Sequence, residues 1–265
     1  MTKKLQQIKT FAIIGDPVDH SRSPELYAPM FASIGMEAEF MRLRVCSDEL
    51  HNIRETVSRL GLSGFAVTMP HKKAIMEYLD IITPAAVSAG SVNIVSVQKY
   101  DEHDGFRLIG YNTDGDGLVA ALEEAGVSVK DKEAIILGSG GAAAGAKESL
   151  IRHGCSVITF NRHNGITLNE TIASSLHKIK HCDILINATP LGMKGYPEFE
   201  SLDFLNELEP NAAVADMVYA AEGGETKLIQ EARRLGYVCF GGDRMLLHQG
   251  LIAFELWTGF KPKLS

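Results

Sequence analysis

Glu133-Ala134-Ile135-Ile136-Leu137-Gly138-Ser139-Gly140-Gly141-Ala142-Ala143 is the stretch on which the fold turns. Its first five residues form an apolar run of strand length, too short for a helix. A glycine-rich turn follows at once, and a helical pattern then runs to about Arg152. The spacing matches G-x-G-x-x-A, in which each small residue has a task. Gly138 makes the tight turn, Gly140 lets backbone approach a pyrophosphate, and Ala143 lets helix pack on strand. The helix start then presents N–H groups to an anion. Ser156-Val157-Ile158-Thr159-Phe160 supplies a second strand at βαβ spacing, which sets a dinucleotide site apart from a plain glycine-rich turn. Gly138, Ser139, Gly140, Gly141 and Ala142 are therefore candidate cofactor-binding residues.

The end of that second strand carries a cofactor preference. An NAD site usually places a carboxylate there for the ribose 2′-hydroxyl, and an NADP site a cation for the 2′-phosphate. This chain has Asn161-Arg162-His163 and no carboxylate. An arginine in a loop is ordinarily a solvated surface cation. At this strand end it also suits a 2′-phosphate, and the expected cofactor is NADP.

More than a hundred residues precede the fingerprint, enough for a separate domain in a chain of 265 residues. A hydrophobic content of 45% and a charged content of 22% are those of a globular protein. The net charge of −7 argues against a nucleic-acid binder held by phosphate contacts. No apolar run approaches the ~20 residues of a membrane helix. The first seven residues lack the apolar stretch of a signal peptide. Cys46, Cys155, Cys182 and Cys239 show no repeated spacing and are expected to be reduced and buried, as in a cytoplasmic protein. The nine histidines show no ligand spacing, so no metal is expected.

Strand and helix signals alternate from the start. Strands are expected at residues 10–14, 39–43, 64–68, 91–97 and 106–111, with helices at 23–34, 47–60 (Ser47 as N-cap) and 114–124, and a short helix opening at Pro70. After the fingerprint, strands are expected at 183–187, 212–216 and 238–240, with helices near 168–176 and 225–235. A long amphipathic helix spans 242–259. The fold class that follows is α/β with two domains. An N-terminal α/β substrate domain comprises residues 1–112 plus 243–265, and a Rossmann-type dinucleotide-binding domain comprises 113–242. The C-terminal helix returns to the first domain.

Three segments follow strands of the first domain, where open α/β sheets place ligands. In His20-Ser21-Arg22-Ser23-Pro24 the two serines are either turn formers at a helix start or a neutral cradle for a carboxylate. In Val67-Thr68-Met69-Pro70-His71-Lys72 the lysine, placed just inside a helix start, opposes the helix dipole. It is either a solvated cation or a group facing an anion. In Asn112-Thr113-Asp114-Gly115 the aspartate is either an N-cap or a cleft carboxylate able to share proton transfer with a lysine.

Nearly end to end, the chain resembles the shikimate dehydrogenase family, which includes quinate/shikimate and aminoshikimate dehydrogenases. The likeness rests on His20-Ser21-x-Ser23-Pro24, Val67-Thr68-x-Pro70-x-Lys72, Gly90-x-Val92-Asn93 and Asn112-Thr113-Asp114-Gly115. It continues in Gly138-x-Gly140-Gly141-Ala142, Asn161-Arg162, Asn187-Ala188-Thr189-Pro190-x-Gly192-Met193, Asp216-x-Val218-Tyr219 and Met245-Leu246-x-x-Gln249, followed by Trp257-Thr258-Gly259.

The resemblance implies a reversible, NADPH-dependent reduction of 3-dehydroshikimate to shikimate in aromatic amino acid biosynthesis. It further implies that Ser21 and Ser23 hold the substrate carboxylate, that Lys72 and Asp114 are the catalytic pair, and that Thr68, Asn93 and Gln249 bond the ring hydroxyls. Asn161 and Arg162 would grip the 2′-phosphate, and Thr189 and Met193 would lie along the cofactor. Tyr219 and Met245 would line the nicotinamide side. The partner expected is a small-molecule acid, with no nucleic acid or membrane, and the protein a monomer or homodimer.

The chain departs from the family pattern at Ala66, where Asn is usual, at Ile94 (Thr), His71 (Phe), Ala221 (Pro) and His163 (Thr). Ala66 removes a polar group beside Thr68 and opens the alternative of a paralogue acting on quinate or aminoshikimate. A catalytically idle NADP-binding regulator is the other alternative. Retention of Lys72, Asp114 and both serines argues against it.

Overall fold

The computed structural model describes residues 8–100, 105–161, 167–218, 220 and 224–262. These form two compact units, residues 1–113 with 250–265 and residues 114–249.

In unit 1, six strands line up as β2-β1-β3-β5-β6-β4, with β1 Lys9–Gly15, β2 Ala38–Arg44, β3 Leu62–Val67, β4 Ile81–Ile82, β5 Ile94–Lys99 and β6 Phe106–Tyr111. Only β5 runs against its neighbours. Helices α1 (Ser23–Ser33), α2 (Ile53–Leu60) and α3 (Pro84–Ala89) cover the sheet. One face is a mainly aliphatic core that includes Ile14, Leu62, Val67, Val95 and Leu108, with Phe65 among them. The other is aromatic. Phe254 and Trp257, from the end of the last helix, pack among Phe11, Tyr27, Phe31 and Phe40, with ring centroids 4.7–6.3 Å apart. The Trp257 indole N–H donates to the Val95 carbonyl at 3.0 Å, so this half-buried ring packs without stranding its donor.

Unit 2 begins with α4 (Asp114–Glu124). It contains an all-parallel sheet in the order β11-β10-β9-β7-β8: β7 Glu133–Leu137, β8 Ser156–Phe160, β9 Ile184–Asn187, β10 Ala213–Asp216 and β11 Val238–Phe240. Helices α5 (Gly141–Arg152), α6 (Leu168–Ser174), α7 (Leu176–His181) and α8 (Lys227–Arg234) join the strands. Ile136 and Ile186 face one core and Ile135 and Leu185 the other. Covering on both faces is what an unbroken apolar strand requires. The last helix, α9 (Gly242–Thr258), starts in unit 2 and ends in unit 1.

Several expectations need correction. Ser47 does not cap a long helix: residues 47–49 form a turn in which Glu49 accepts the Cys46 N–H at 3.0 Å. A 3₁₀ turn follows at Leu50–Asn52, and α2 starts only at Ile53. No α-helix opens at Pro70. Residues 69–73 are a turn leading into a 3₁₀ segment, Ala74–Tyr78. The reason is tertiary: the Lys72 carbonyl accepts from Val92 N at 2.7 Å instead of from a residue four places on. The dipole argument for Lys72 therefore does not apply. Of the cysteines, Cys155 and Cys182 are buried, with thiols pushed up by burial to about 11 and about 12, while Cys46 and Cys239 are half-buried. All four are free. Among the described residues no helix is long and apolar enough to cross a membrane.

Candidate active site

The strand order of unit 1 puts the ends of β1, β3 and β6 and the start of antiparallel β5 on one edge of the sheet. Every candidate of that unit lies there. Thr68 N donates to the Ile14 carbonyl at 2.9 Å, Val67 N to Asn93 O at 2.7 Å, and Asn93 N to Tyr111 O at 3.0 Å. With the Lys72–Val92 bond, these contacts fix Thr68, Lys72 and Asn93 relative to one another through main chain. The Asn93 side chain is buried, 3% exposed. Its amide donates to Thr113 Oγ1 at 3.0 Å and its Oδ1 accepts Thr113 N at 2.8 Å. It thereby clamps the residue just before Asp114.

Ser21 and Ser23 sit at the start of α1. Ser21 Oγ accepts the Ser23 N–H at 3.3 Å and donates to Ser23 Oγ at 3.2 Å. Ser21 thus performs the local turn-forming task while keeping both hydroxyls side by side. Pairing read along the sequence could not have found what supports this edge. Arg42 Nε donates to the Ser21 carbonyl at 2.8 Å. His71, 1% exposed, meets the Val45 carbonyl through Nε2 at 2.6 Å. Asn112 donates to Ser91 O and Oγ at 3.0 and 2.9 Å. Each bond spans about twenty residues or more.

In unit 2, Asp114 is the first residue of α4 and 5% exposed. One turn on, Gly117 lies against Gln249 of α9. A Cβ at Gly117 would sit 2.6 Å from Gln249 Cβ and 2.7 Å from its backbone nitrogen. That absence of a side chain brings Gln249, 8% exposed, onto the helix that Asp114 opens. Met245 is buried in the core beside α4 and α5.

The fingerprint turn follows β7. Gly138 has φ +116, and a Cβ there would lie 2.8 Å from the Ala188 carbonyl oxygen, so only glycine fits. Ser139 and Gly140 are exposed, Gly141 and Ala142 half-buried, and Ala143 buried under α5. Gly140 is the N-cap of α5 and contributes no side chain, and a Cβ at Gly140 would meet nothing within 4 Å. An open approach to a helix start fits a pyrophosphate. Gly138 N donates to Phe160 O at 2.7 Å, which sets Asn161 directly beside the turn. Thr189 and Met193, both half-buried, follow β9. Arg162 and Tyr219 lie outside the described residues.

A buried polar network closes this edge. Asp216, at the end of β10, has its carboxyl raised from 3.8 to about 6 by burial, against the lowering effect of its bonds to Thr226, Val218 and Asn187. A group that binds its proton more tightly when folded favours the fold most at low pH. That contribution is complete below about pH 4 and is lost as pH rises through about 6. It amounts to roughly 3 kcal/mol, at ~1.4 kcal/mol per pH unit. The thermal midpoint of Asp216→Asn, measured against wild type from pH 4 to 7, should therefore gain on wild type as pH rises. A constant difference across that range would show that Asp216 is ionised throughout.

Two α/β units, the second an all-parallel Rossmann-like sheet with a dinucleotide turn after the interior strand β7, define the class of two-domain nicotinamide-dependent oxidoreductases. Family models add the particular. One described as the shikimate dehydrogenase substrate binding domain matches residues 13–95, and one described as the shikimate 5'-dehydrogenase C-terminal domain matches 244–265. The shikimate dehydrogenase (NADP(+)) of Staphylococcus epidermidis is 36% identical over 263 residues, covering 96% of this chain and 94% of that protein. The crystal structure of shikimate 5-dehydrogenase from Thermus thermophilus, in complex with NADP(H) and shikimate, is 31% identical with a TM-score of 0.81 and covers 97% of this chain and 95% of that one. A ligand-free 5-ketofructose reductase of Gluconobacter is 27% identical with a TM-score of 0.79, covering 97% and 95%. The chain belongs to the shikimate dehydrogenase family.

Proposed function

We propose that this protein is an NADP-dependent shikimate dehydrogenase that reversibly reduces 3-dehydroshikimate to shikimate. The observation that carries the reading is the gathering of Ser21, Ser23, Thr68, Lys72 and Asn93 on one edge of the unit 1 sheet, in a chain 36% identical to a shikimate dehydrogenase (NADP(+)). Residues 1–112 with 243–265 are the substrate domain of this reading, and 113–242 the NADP domain. Gly138, Ser139, Gly140, Gly141 and Ala142 hold the pyrophosphate, Asn161 and Arg162 the 2′-phosphate, and Thr189, Met193 and Met245 flank the rest of the cofactor. Bound NADPH supplies the hydride that adds to the substrate carbonyl carbon. As negative charge develops on the carbonyl oxygen, Lys72 neutralises it and gives up a proton from Nζ, forming the alcohol. Asp114 is its catalytic partner. Ser21 and Ser23 hold the substrate carboxylate, and Thr68, Asn93, Tyr219 and Gln249 orient the ring. The protein works in the cytoplasm on this small acid, as a monomer or homodimer, without a nucleic-acid or membrane partner.

Ala66 favours a second reading, turnover of quinate or aminoshikimate, since the residue beside Thr68 lacks the amide usual in the family. A panel of shikimate, quinate and aminoshikimate with NADP and with NAD, followed at the reduced-nicotinamide band, decides between them. Shikimate with NADP should give the highest kcat/KM. A higher value for another acid would establish the second reading, and no turnover of any acid would leave an idle NADP binder.

The double variant Ser21→Ala/Ser23→Ala should raise KM for shikimate at least tenfold, since each hydrogen bond to a charged group is worth roughly 1.5–3 kcal/mol. kcat should fall less, because the carboxylate is remote from the reacting carbon. Unchanged shikimate binding in calorimetry would place the carboxylate cradle elsewhere.

A further inference from the structure

Asn187 and Asp216 are motif residues to which the proposed chemistry gives no role, yet they are among the most buried polar residues of unit 2, at 0% and 1% exposure. They face each other across adjacent strand ends, in register between β9 and β10. Asn187 Nδ2 donates to Asp216 Oδ1 at 2.9 Å and to the Leu191 carbonyl at 3.3 Å. Its Oδ1 accepts the Thr189 N–H at 3.0 Å and the Thr189 hydroxyl at 2.6 Å. Thr189 Oγ1 in turn accepts Leu191 N at 3.2 Å. Asp216 also accepts Val218 N at 3.0 Å through Oδ1 and the Thr226 hydroxyl at 2.6 Å through Oδ2.

This arrangement has a direction. An ionised carboxylate only accepts hydrogen bonds, so Asp216 forces the NH₂ end of Asn187 toward itself and the oxygen end toward Thr189. The single Thr189 hydroxyl proton and the Thr189 N–H are both committed to Asn187, which leaves the methyl turned toward Gly138. The loop so shaped forms one wall of the fingerprint turn. Ala188 N donates to Leu137 O at 2.8 Å. The Thr189 methyl and the Ala188 carbonyl oxygen lie 3.1 and 2.8 Å from where a Gly138 Cβ would stand.

We propose that Asn187 and Asp216 are positioning residues for the cofactor. Asp216 fixes the amide orientation of Asn187, and Asn187, acting through Thr189, fixes the shape of residues 188–193 beside the Gly138 turn. The proposal rests on the assignment of that turn and loop to NADP. A pair that merely stabilised the strand ends would lower the thermal midpoint without selective loss of cofactor.

The test is calorimetric titration of the full chain with NADP alone at pH 8, alongside thermal midpoints, for Asn187→Asp, Asp216→Asn and the two combined. Asn187→Asp keeps the side-chain size but sets two carboxylates against each other and removes the donor to Leu191. It should weaken NADP at least tenfold. Adding Asp216→Asn restores one amide facing one carboxylate and should bring affinity back to within about threefold of wild type. KM for shikimate should change less than threefold in every variant. Binding of Asn187→Asp within twofold of wild type, or no recovery in the combined variant, would overturn the proposal. Should Asn187→Asp not fold, Thr189→Val, which keeps the shape and removes the linking hydroxyl, should weaken NADP at least fivefold, and unchanged affinity would overturn it equally. Because NADP binding needs no turnover, a wild type that binds NADP but leaves shikimate untouched defeats only the substrate reading. A wild type that does not bind NADP defeats the cofactor reading, and this proposal with it.

Discussion

Lys72→Ala should lower kcat by about 10²–10⁴-fold, the usual worth of a positioned proton donor, while leaving NADP affinity within about twofold. The reason is the division of labour in the chain. Lys72 stands in unit 1, and the fingerprint turn stands in unit 2. Its loop is held through main chain: the Lys72 carbonyl accepts from Val92 N, and the preceding Thr68 N donates to Ile14 O. Truncation therefore removes the ammonium without dismantling the strand-end edge, and the thermal midpoint should move by only a few degrees. Single-turnover reduction of 3-dehydroshikimate by bound NADPH is the cleanest measurement, since it isolates the chemical step from product release. Retention of more than about a tenth of the wild-type rate would return Lys72 to the class of solvated surface lysines.

Arg162→Ala should raise KM for NADP by roughly ten- to a hundred-fold and leave KM for NAD within about threefold. Only NADP carries the 2′-phosphate, and a charge-assisted contact to it is worth roughly 1.5–3 kcal/mol. Leu137 pairs with Phe160, and the Gly138 N–H bonds to the Phe160 carbonyl, so the chain leaving β8 departs beside the pyrophosphate turn. Asn161, the residue before Arg162, is half-buried and its carbonyl accepts from Thr171 Oγ1 at 3.4 Å. Initial rates with both cofactors at saturating shikimate give the ratio directly. Equal losses for the two cofactors would show that Arg162 supports the loop rather than recognising phosphate.

Much of this was legible in advance, for an identifiable reason. β7, β8 and β11 occupy the residues that apolar run length marks out; β7, inside the sheet, carries the unbroken apolar run that burial on both faces requires, while the edge strands β8 and β11 are partly exposed. The misreadings fall where a specific hydrogen bond or chain break overrides the helical pattern. The turn at Pro70–Lys73 is decided by Val92, and the late start of α2 by the turn that Glu49 closes on Cys46. The helix expected at 168–176 ends at Ser174, and a second one begins at Leu176. For the site, motif matches supplied the candidate residues. Arg42 and His71 stayed hidden, because a residue that works by holding the backbone of another strand leaves no periodic or motif signature.

The sequence by itself determined the α/β class, the glycine-rich turn after β7, and the motifs that carry the candidates Ser21, Ser23, Lys72 and Asp114. Those depend on local sterics and on hydrophobic period, which act over a few residues. Only the tertiary structure decided that β5 runs antiparallel, and with that reversal that Asn93 reaches the same edge as Thr68 and Lys72. It alone decided that Gln249 rests on Gly117, and that Asp216 and Asn187 meet and orient the loop at Thr189. Strand direction, close backbone approach and the orientation of a buried amide are set by partners dozens of residues away, and no local pattern encodes a partner.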